Sequence, residues 1–206
     1  VAAGGVAGGK TVAAQRDAWI RFEDEAGQTL RPPKARTWGR RGETPVIPVS
    51  GKGSGRVSIA RLVCVKPGRR SRLIYRTITH RGRKNERRSF AEADDIALLD
   101  AAHQQLGGPI VLVWDNLNTH ISAAMRQMIN GRDWLHVIRL PAYTPDLNPT
   151  EQVWSHLKRS IGNLAARGVD HLQAIVKNRL KRIQYRADLL DSFLAHTGLT
   201  LEPDST

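Results

Sequence analysis

The sequence holds a single cysteine, Cys64, in 206 residues. That excludes an intrachain disulfide and suits a reducing compartment. Cys64 lies in an alternating apolar stretch and reads as core packing. No apolar run approaches the roughly 18 residues of a membrane span, so no membrane association is expected. The histidines (His80, His103, His120, His136, His156, His171 and His196) show no zinc-type spacing. Gly51-Lys-Gly-Ser-Gly55 lacks the spacing of a nucleotide-binding loop and reads as a flexible tip. Internal repeats are absent. Acids are scarce too: 19 Asp and Glu stand against 32 Lys and Arg, a net charge of +13. The imbalance points to a polyanionic partner. Nucleic acid fits better than a membrane surface, because the basic residues are spread along the chain and not gathered on one amphipathic stripe.

Where acids are few, their positions matter. Ala18-Trp-Ile-Arg-Phe-Glu-Asp24 reads as a strand. Ile20, Phe22 and Asp24 share one face by the period-two rule, and Arg21, Glu23 and Glu25 share the other. Asp24 is the odd member of an apolar face and calls for a cation or strong donors. Glu23 and Glu25 read as solvated acids. Ile110-Val-Leu-Val-Trp-Asp115 is a short β-branched run, typical of a strand covered on both faces, and it ends on Asp115. Ligands in open α/β sheets collect at such carboxyl ends. Tyr143-Thr-Pro-Asp-Leu-Asn-Pro-Thr-Glu-Gln-Val-Trp154 reads as a tight loop that launches a helix, with Asn148 as N-cap, Pro149 at the first helical position and Glu151 three residues past the cap.

The remaining chain supplies the frame. Residues 1–16 are Gly/Ala-rich, lack the basic start of a signal peptide, and are expected to be a disordered tail. Residues 26–55 read as a long loop carrying Arg36, Trp38, Arg40, Arg41 and Lys52. Guanidiniums beside an indole suit phosphate contacts plus stacking on a base, although Trp38 tucked into the core is the plain alternative. Residues 56–65 and 72–78 form a hairpin around Lys66-Pro-Gly-Arg-Arg. Helices are expected over 90–106, stopped by Gly107-Gly108-Pro109, and over 121–129, where Met125 and Met128 are core residues. A strand follows at 135–140, then the helix of Glu151, a helical region around 172–183 and a short helix at 189–194. This order is mixed α/β. It is the order of an RNase H-like domain, with a five-stranded mixed sheet and flanking helices over residues 17–199 and a tail at 200–206.

Asp24, Asp115 and Glu151 together would make one metal site. Magnesium prefers oxygen ligands and keeps several waters, so one or two carboxylates per ion suffice. Two ions about 4 Å apart can clamp the attacking and leaving oxygens of an in-line phosphoryl displacement. Each acid also has a plain reading. Glu151 sits at the capping-box position and could serve a backbone N–H. Asp115 could be an ordinary strand-end residue. His120, just after Asp115, is a candidate contact to DNA or beside the metal.

Phe22-Glu-Asp-Glu-Ala-Gly27, Val113-Trp-Asp-Asn116 with His120, and Tyr143 to Trp154 with Leu157-Lys158 resemble the DDE catalytic domain of mariner-related bacterial insertion-sequence transposases. The resemblance implies an RNase H-like fold with Asp24, Asp115 and Glu151 as ligands of two Mg²⁺ or Mn²⁺ ions. It implies cleavage of a phosphodiester at the transposon end and attack of the freed 3′-hydroxyl on target DNA. Asn116, His120 and Asn148 would support the acids, while Lys158 and the Arg36–Arg41 region would touch DNA. A homodimer in a synaptic complex and a bacterial, nucleoid-associated cytoplasmic location also follow from it. Family members carry N-terminal helix-turn-helix modules that residues 1–16 do not supply; a truncated copy, a fragment and the second half of a split reading frame are the open readings, and the last makes a separate helix-turn-helix DNA-binding polypeptide an expected partner. Two other readings stand beside this one: a catalytically silent DNA-binding remnant, and a structure-specific nuclease of the same fold.

Overall fold

The computed structural model describes residues 2–49, 55–87, 89–114, 123–140 and 144–199. Asp115, Asn116, His120, Lys52 and the 200–206 tail lie outside them.

Five strands form one mixed sheet. β1 (Trp19–Thr29) pairs antiparallel with β2 (Arg56–Val65), which pairs antiparallel with β3 (Arg72–His80). On its other side β1 runs parallel to β4 (Ile110–Trp114), and β4 runs parallel to β5 (Leu135–Arg139). The order is β3-β2-β1-β4-β5, so β1 is the central strand. The parallel strands are joined through helices, as parallel pairing requires: α2 (Glu92–Leu106) precedes β4 and α3 (Ala123–Asn130) precedes β5. Gly107 ends α2 at φ 66, a left-handed conformation that glycine adopts without a Cβ clash. After β5 come α4 (Thr150–Ser160), α5 (Val169–Gln184) and α6 (Ala187–His196).

The period-two pattern divides the core. Ile20, Phe22, Val57, Ile59, Val63, Val65, Val111 and Val113 pack under Val153, Trp154 and Leu157 of α4 and the buried residues of α5 and α6. On the opposite face Trp19, Ala60, Leu62 and Cys64 meet Leu98 and Ala102 of α2. Leu112 and Trp114 meet Met125 and Met128 of α3. All five residues of β4 are buried, as expected for a strand covered on both faces.

Three expectations need correction. The chain forms a helix, α1 (Ala2–Gln15), where a disordered tail was expected. A helix with Gly4, Gly5, Gly8 and Gly9 is weak in isolation. It is held by docking on β4 and β5, where small residues permit close approach: a Cβ on Gly9 would lie 2.4 Å from Ile138 Cδ1. Ala13 is buried in the core. Second, β1 runs on to Thr29, because β2 pairs with it along that whole length. Third, Glu23 is buried and not solvated, as is Arg21 beside it. Their face lies under α2, whose Asp95 is buried as well. Grouping charges of both signs in one interior layer offsets part of the desolvation cost of each.

Candidate active site

Asp24 lies on the face of β1 that α4 covers, with a side chain only 15% exposed. Its Oδ2 accepts a hydrogen bond from Arg61 Nη2 at 3.0 Å and another from Trp154 Nε1 at 3.0 Å. The Thr150 hydroxyl stands at 3.5 Å from the same oxygen. The demand of a carboxylate on an apolar face is thus met from two directions, by Arg61 on β2 and Trp154 on α4. Arg61 is the direct register partner of Asp24 across the β1–β2 ladder. The same Nη2 also donates to the Thr150 carbonyl at 2.6 Å, and the guanidinium lies 3.5 Å from the centroid of the Trp154 ring. Burial lowers the Arg61 pKa to about 9, against the pull of Asp24 and then Glu151. Arg61 therefore remains a cation at neutral pH, and it feels both acids.

The start of α4 is fixed by Asn148, which is itself buried. Its Oδ1 accepts from the Thr150 backbone N–H at 3.1 Å and from the Thr150 hydroxyl at 2.6 Å. Its Nδ2 donates to the Glu23 carbonyl on β1 at 3.2 Å. Asn148 thus caps the helix and ties it to the central strand. Pro149 has helical angles, φ −62 and ψ −16, so the Asn-Pro pair acts as expected although the regular helix starts at Thr150. Glu151 follows, exposed. Its carboxylate makes no hydrogen bond among the described residues, so the capping-box role has no support there. It lines a polar cleft of about 380 Å³ with Asp146, Asn148, Gln152, His196 and Thr197.

Of the three acids, Asp24 and Glu151 are thus brought to one locality. Both are oxygen donors of the kind a hard divalent cation takes, but the described residues include no group of three or more His, Cys, Asp or Glu side chains that could hold a metal ion. Sequence reasoning missed Arg61, Thr150 and Trp154. A signal for Arg61 existed: it is the one charged residue on the Val57, Ile59, Val63, Val65 face of β2.

The basic loop is anchored at the other, C-terminal end of α4. Asn163, in the turn after α4 at φ 58, accepts from the Ala35 N–H at 3.0 Å and donates to the Ala35 carbonyl at 2.6 Å. The Asn163 N–H donates to the Pro33 carbonyl at 2.9 Å. Beyond this clamp Arg36, Arg40 and Arg41 are exposed, and Trp38 is 99% exposed, not tucked into the core. Lys158 is exposed on α4. A Cβ on Gly162 would fall 2.4 Å from Ala35 Cβ. That methyl has no rotamer to escape into, so the loop backbone must move. Gly162→Ala is expected to cost about 1–3 kcal/mol and to speed tryptic cutting within 36–41. Unchanged urea midpoint and digestion rate would show that the clamp does not hold the loop.

Residues 19–173 match the family described as DDE superfamily endonuclease. The Tc1 transposable-element transposase of Caenorhabditis elegans is 33% identical over 82 residues, covering 40% of this chain and 30% of that protein. Among solved structures, the Mos1 transposase paired-end complex with the left transposon end aligns with a TM-score of 0.59 at 13% identity, over 94% of this chain and 60% of that one. The Mos1 paired-end complex with Mg aligns at 0.60 and 15% identity, over 91% and 57%. The catalytic domain of Mos1 mariner transposase aligns at 0.53 and 13% identity, over 94% and 90%. At such identities the likeness is one of fold, and the fold is RNase H-like. The chain spans less than a third of the Tc1 protein and about 60% of the Mos1 chain of the left-end complex. The family match runs through β1, β4 and α4, the elements that carry or adjoin the three acids, and the chain belongs to the DDE superfamily endonucleases.

Proposed function

We propose that the chain is the catalytic domain of a transposase that cuts phosphodiester bonds at transposon ends and joins the freed 3′-hydroxyl strand to target DNA. The observation that carries this reading is the stapling of Asp24 on β1 to the first turn of α4, where Glu151 stands exposed and makes no side-chain hydrogen bond among the described residues. Asp24, Asp115 and Glu151 would hold two Mg²⁺ or Mn²⁺ ions. When bound, these supply the polarisation of the phosphodiester and the activation of the attacking oxygen. Asn148 sets where Glu151 points, and Asn116 and His120 would steady the acid on β4. Exposed Trp38 offers a stacking face, and Arg36, Arg40, Arg41, Lys52 and Lys158 offer charge for the DNA backbone. The Tc1 and Mos1 relatives support transposition over a structure-specific nuclease.

Partners follow from the same reading: transposon-end and target DNA, a second copy in a synaptic complex, and a helix-turn-helix polypeptide for end recognition. The motif resemblance supports, as part of this proposal, a bacterial insertion-sequence origin and action at the nucleoid. Among the described residues no helix is long and apolar enough to cross a membrane.

The test is a labelled duplex carrying the element's terminal repeats. Strand cleavage is expected with Mg²⁺ or Mn²⁺ and is expected to vanish on chelation. DNA binding in Ca²⁺ should weaken steeply with salt, given the charge of +13. Salt-sensitive binding with no cleavage by the chain, alone or with its helix-turn-helix partner, would leave the silent remnant as the correct reading.

A further inference from the structure

Asp24 and Arg61 face each other across the β1–β2 ladder, on the face that α4 covers. An ion pair built for stability alone would use the guanidinium as a fork, with two nitrogens on two carboxylate oxygens. Arg61 does not. One nitrogen, Nη2, serves both Asp24 Oδ2 and the Thr150 carbonyl. Nε and Nη1 are buried without a hydrogen-bond partner among the described residues, and the plane of the group stacks on Trp154. Trp154 in turn donates to the same Asp24 oxygen. Two charged or polar donors from two different elements therefore converge on one oxygen of one acid, and one of them also grips the backbone next to Glu151.

We propose that Arg61 is a positioning residue for metal binding: with Trp154 it holds Asp24 Oδ2 and so fixes the orientation of that carboxylate, and it locks the acid in register with the turn carrying Glu151. The inference rests on the reading of Asp24 and Glu151 as metal ligands. The torsion that turns an aspartate carboxylate is broad and two-fold, so an unheld Asp24 would present either oxygen in many orientations. Hydrogen bonds on one carboxylate oxygen select one orientation of the group before an ion arrives, which is how outer partners of ligating carboxylates raise affinity. Burying a lone cation is costly. Here the Asp24 charge, the Thr150 carbonyl and the indole face offset that cost together, and the last two are lost if α4 shifts.

The experiment measures Mn²⁺ binding to the DNA-free chain by electron paramagnetic resonance of free Mn²⁺, at a temperature where every variant is folded by circular dichroism. Asp24→Asn is the reference for loss of the site. Arg61→Met is expected to weaken binding about 10-fold or more. Trp154→Phe, which removes the N–H and part of the ring volume but keeps an aromatic face under Arg61, is expected to weaken it about 3-fold. Arg61→Lys, which keeps the charge and one donor, should recover part of the loss. Should Arg61→Met fail to fold, Trp154→Phe and Arg61→Lys decide. A purely structural role lowers the melting temperature and leaves the Mn²⁺ affinity of the folded chain unchanged, and that result overturns the proposal. Tighter Mn²⁺ binding in Arg61→Met also overturns it, since Arg61 would then be a competitor of the metal. If the unmodified chain shows no Asp24-dependent Mn²⁺ binding, the metal-ligand reading itself fails, a different result from either of these.

Discussion

Glu151→Gln is expected to reduce metal-dependent strand cleavage by about 1,000-fold or more, because a lost ligating anion removes several kcal/mol of charge stabilisation and each 1.36 kcal/mol is tenfold in rate. The melting temperature should stay within about 2 °C, since an exposed substitution without packing contacts falls within roughly 0.5 kcal/mol. Glutamine separates the two roles open to this residue. A capping box accepts Gln as well as Glu at this position, so a capping role predicts no loss of either activity or stability. A ligand role predicts a large loss of activity alone, because the neutral amide is a poor ligand for a hard cation. The exposed carboxylate beside the Asn148 cleft favours the second. Cleavage at the unmodified rate in Glu151→Gln, with Mg²⁺ in the reaction, would remove Glu151 from the site.

How much of this was legible depends on the physics of each signal. Asp24 was readable as a residue needing a partner, because alternation places it with Ile20 and Phe22. The partner was not readable. Arg61 is the matching odd residue on β2, but the pairing register of β1 and β2 is set across the long segment from Leu30 to Gly55, and no local pattern fixes it. Trp154 lies three residues past Glu151, a spacing that puts the two on one side of α4. That its indole N–H reaches Asp24 depends on how α4 packs on the sheet. Glu23 was misread for a related reason. Alternation says which residues share a face, and it does not say whether that face is wet. With β2 and β4 on its flanks and helices above and below, β1 has no wet face at Glu23. The helix α1 left almost no mark in the sequence, since it docks through Gly9 and Ala13, residues whose smallness carries little hydropathy. By contrast β4, a run of apolar residues, and the Asn148-Pro149 helix start are local devices. Both are found where the sequence puts them.

Asn148→Ala is expected to cost about 2–4 kcal/mol, the sum of a lost cap of about 1 kcal/mol and a weakened set of buried partners at about 1–3 kcal/mol. That corresponds to a melting temperature lower by roughly 4–16 °C for a domain of this size. The Mg²⁺ dependence of cleavage should move as well, with the half-saturating metal concentration rising about 10-fold or more. Asn148 does two separable things. Its Oδ1 caps α4 through Thr150, and its Nδ2 ties the cap to the Glu23 carbonyl, next to Asp24. Asn148→Asp keeps the acceptor and loses the donor. Asp caps a helix as well as Asn does, so this variant should recover most of the capping energy. It should not recover the metal dependence, because the helix start is no longer held to β1 and a carboxylate now faces a carbonyl. Recovery of both in Asn148→Asp would show that the tie to Glu23 is dispensable. Full activity in Asn148→Ala at reduced stability would show that Glu151 is placed by the Arg61–Trp154 bracket alone, leaving the Asn-Pro cap only to hold the helix.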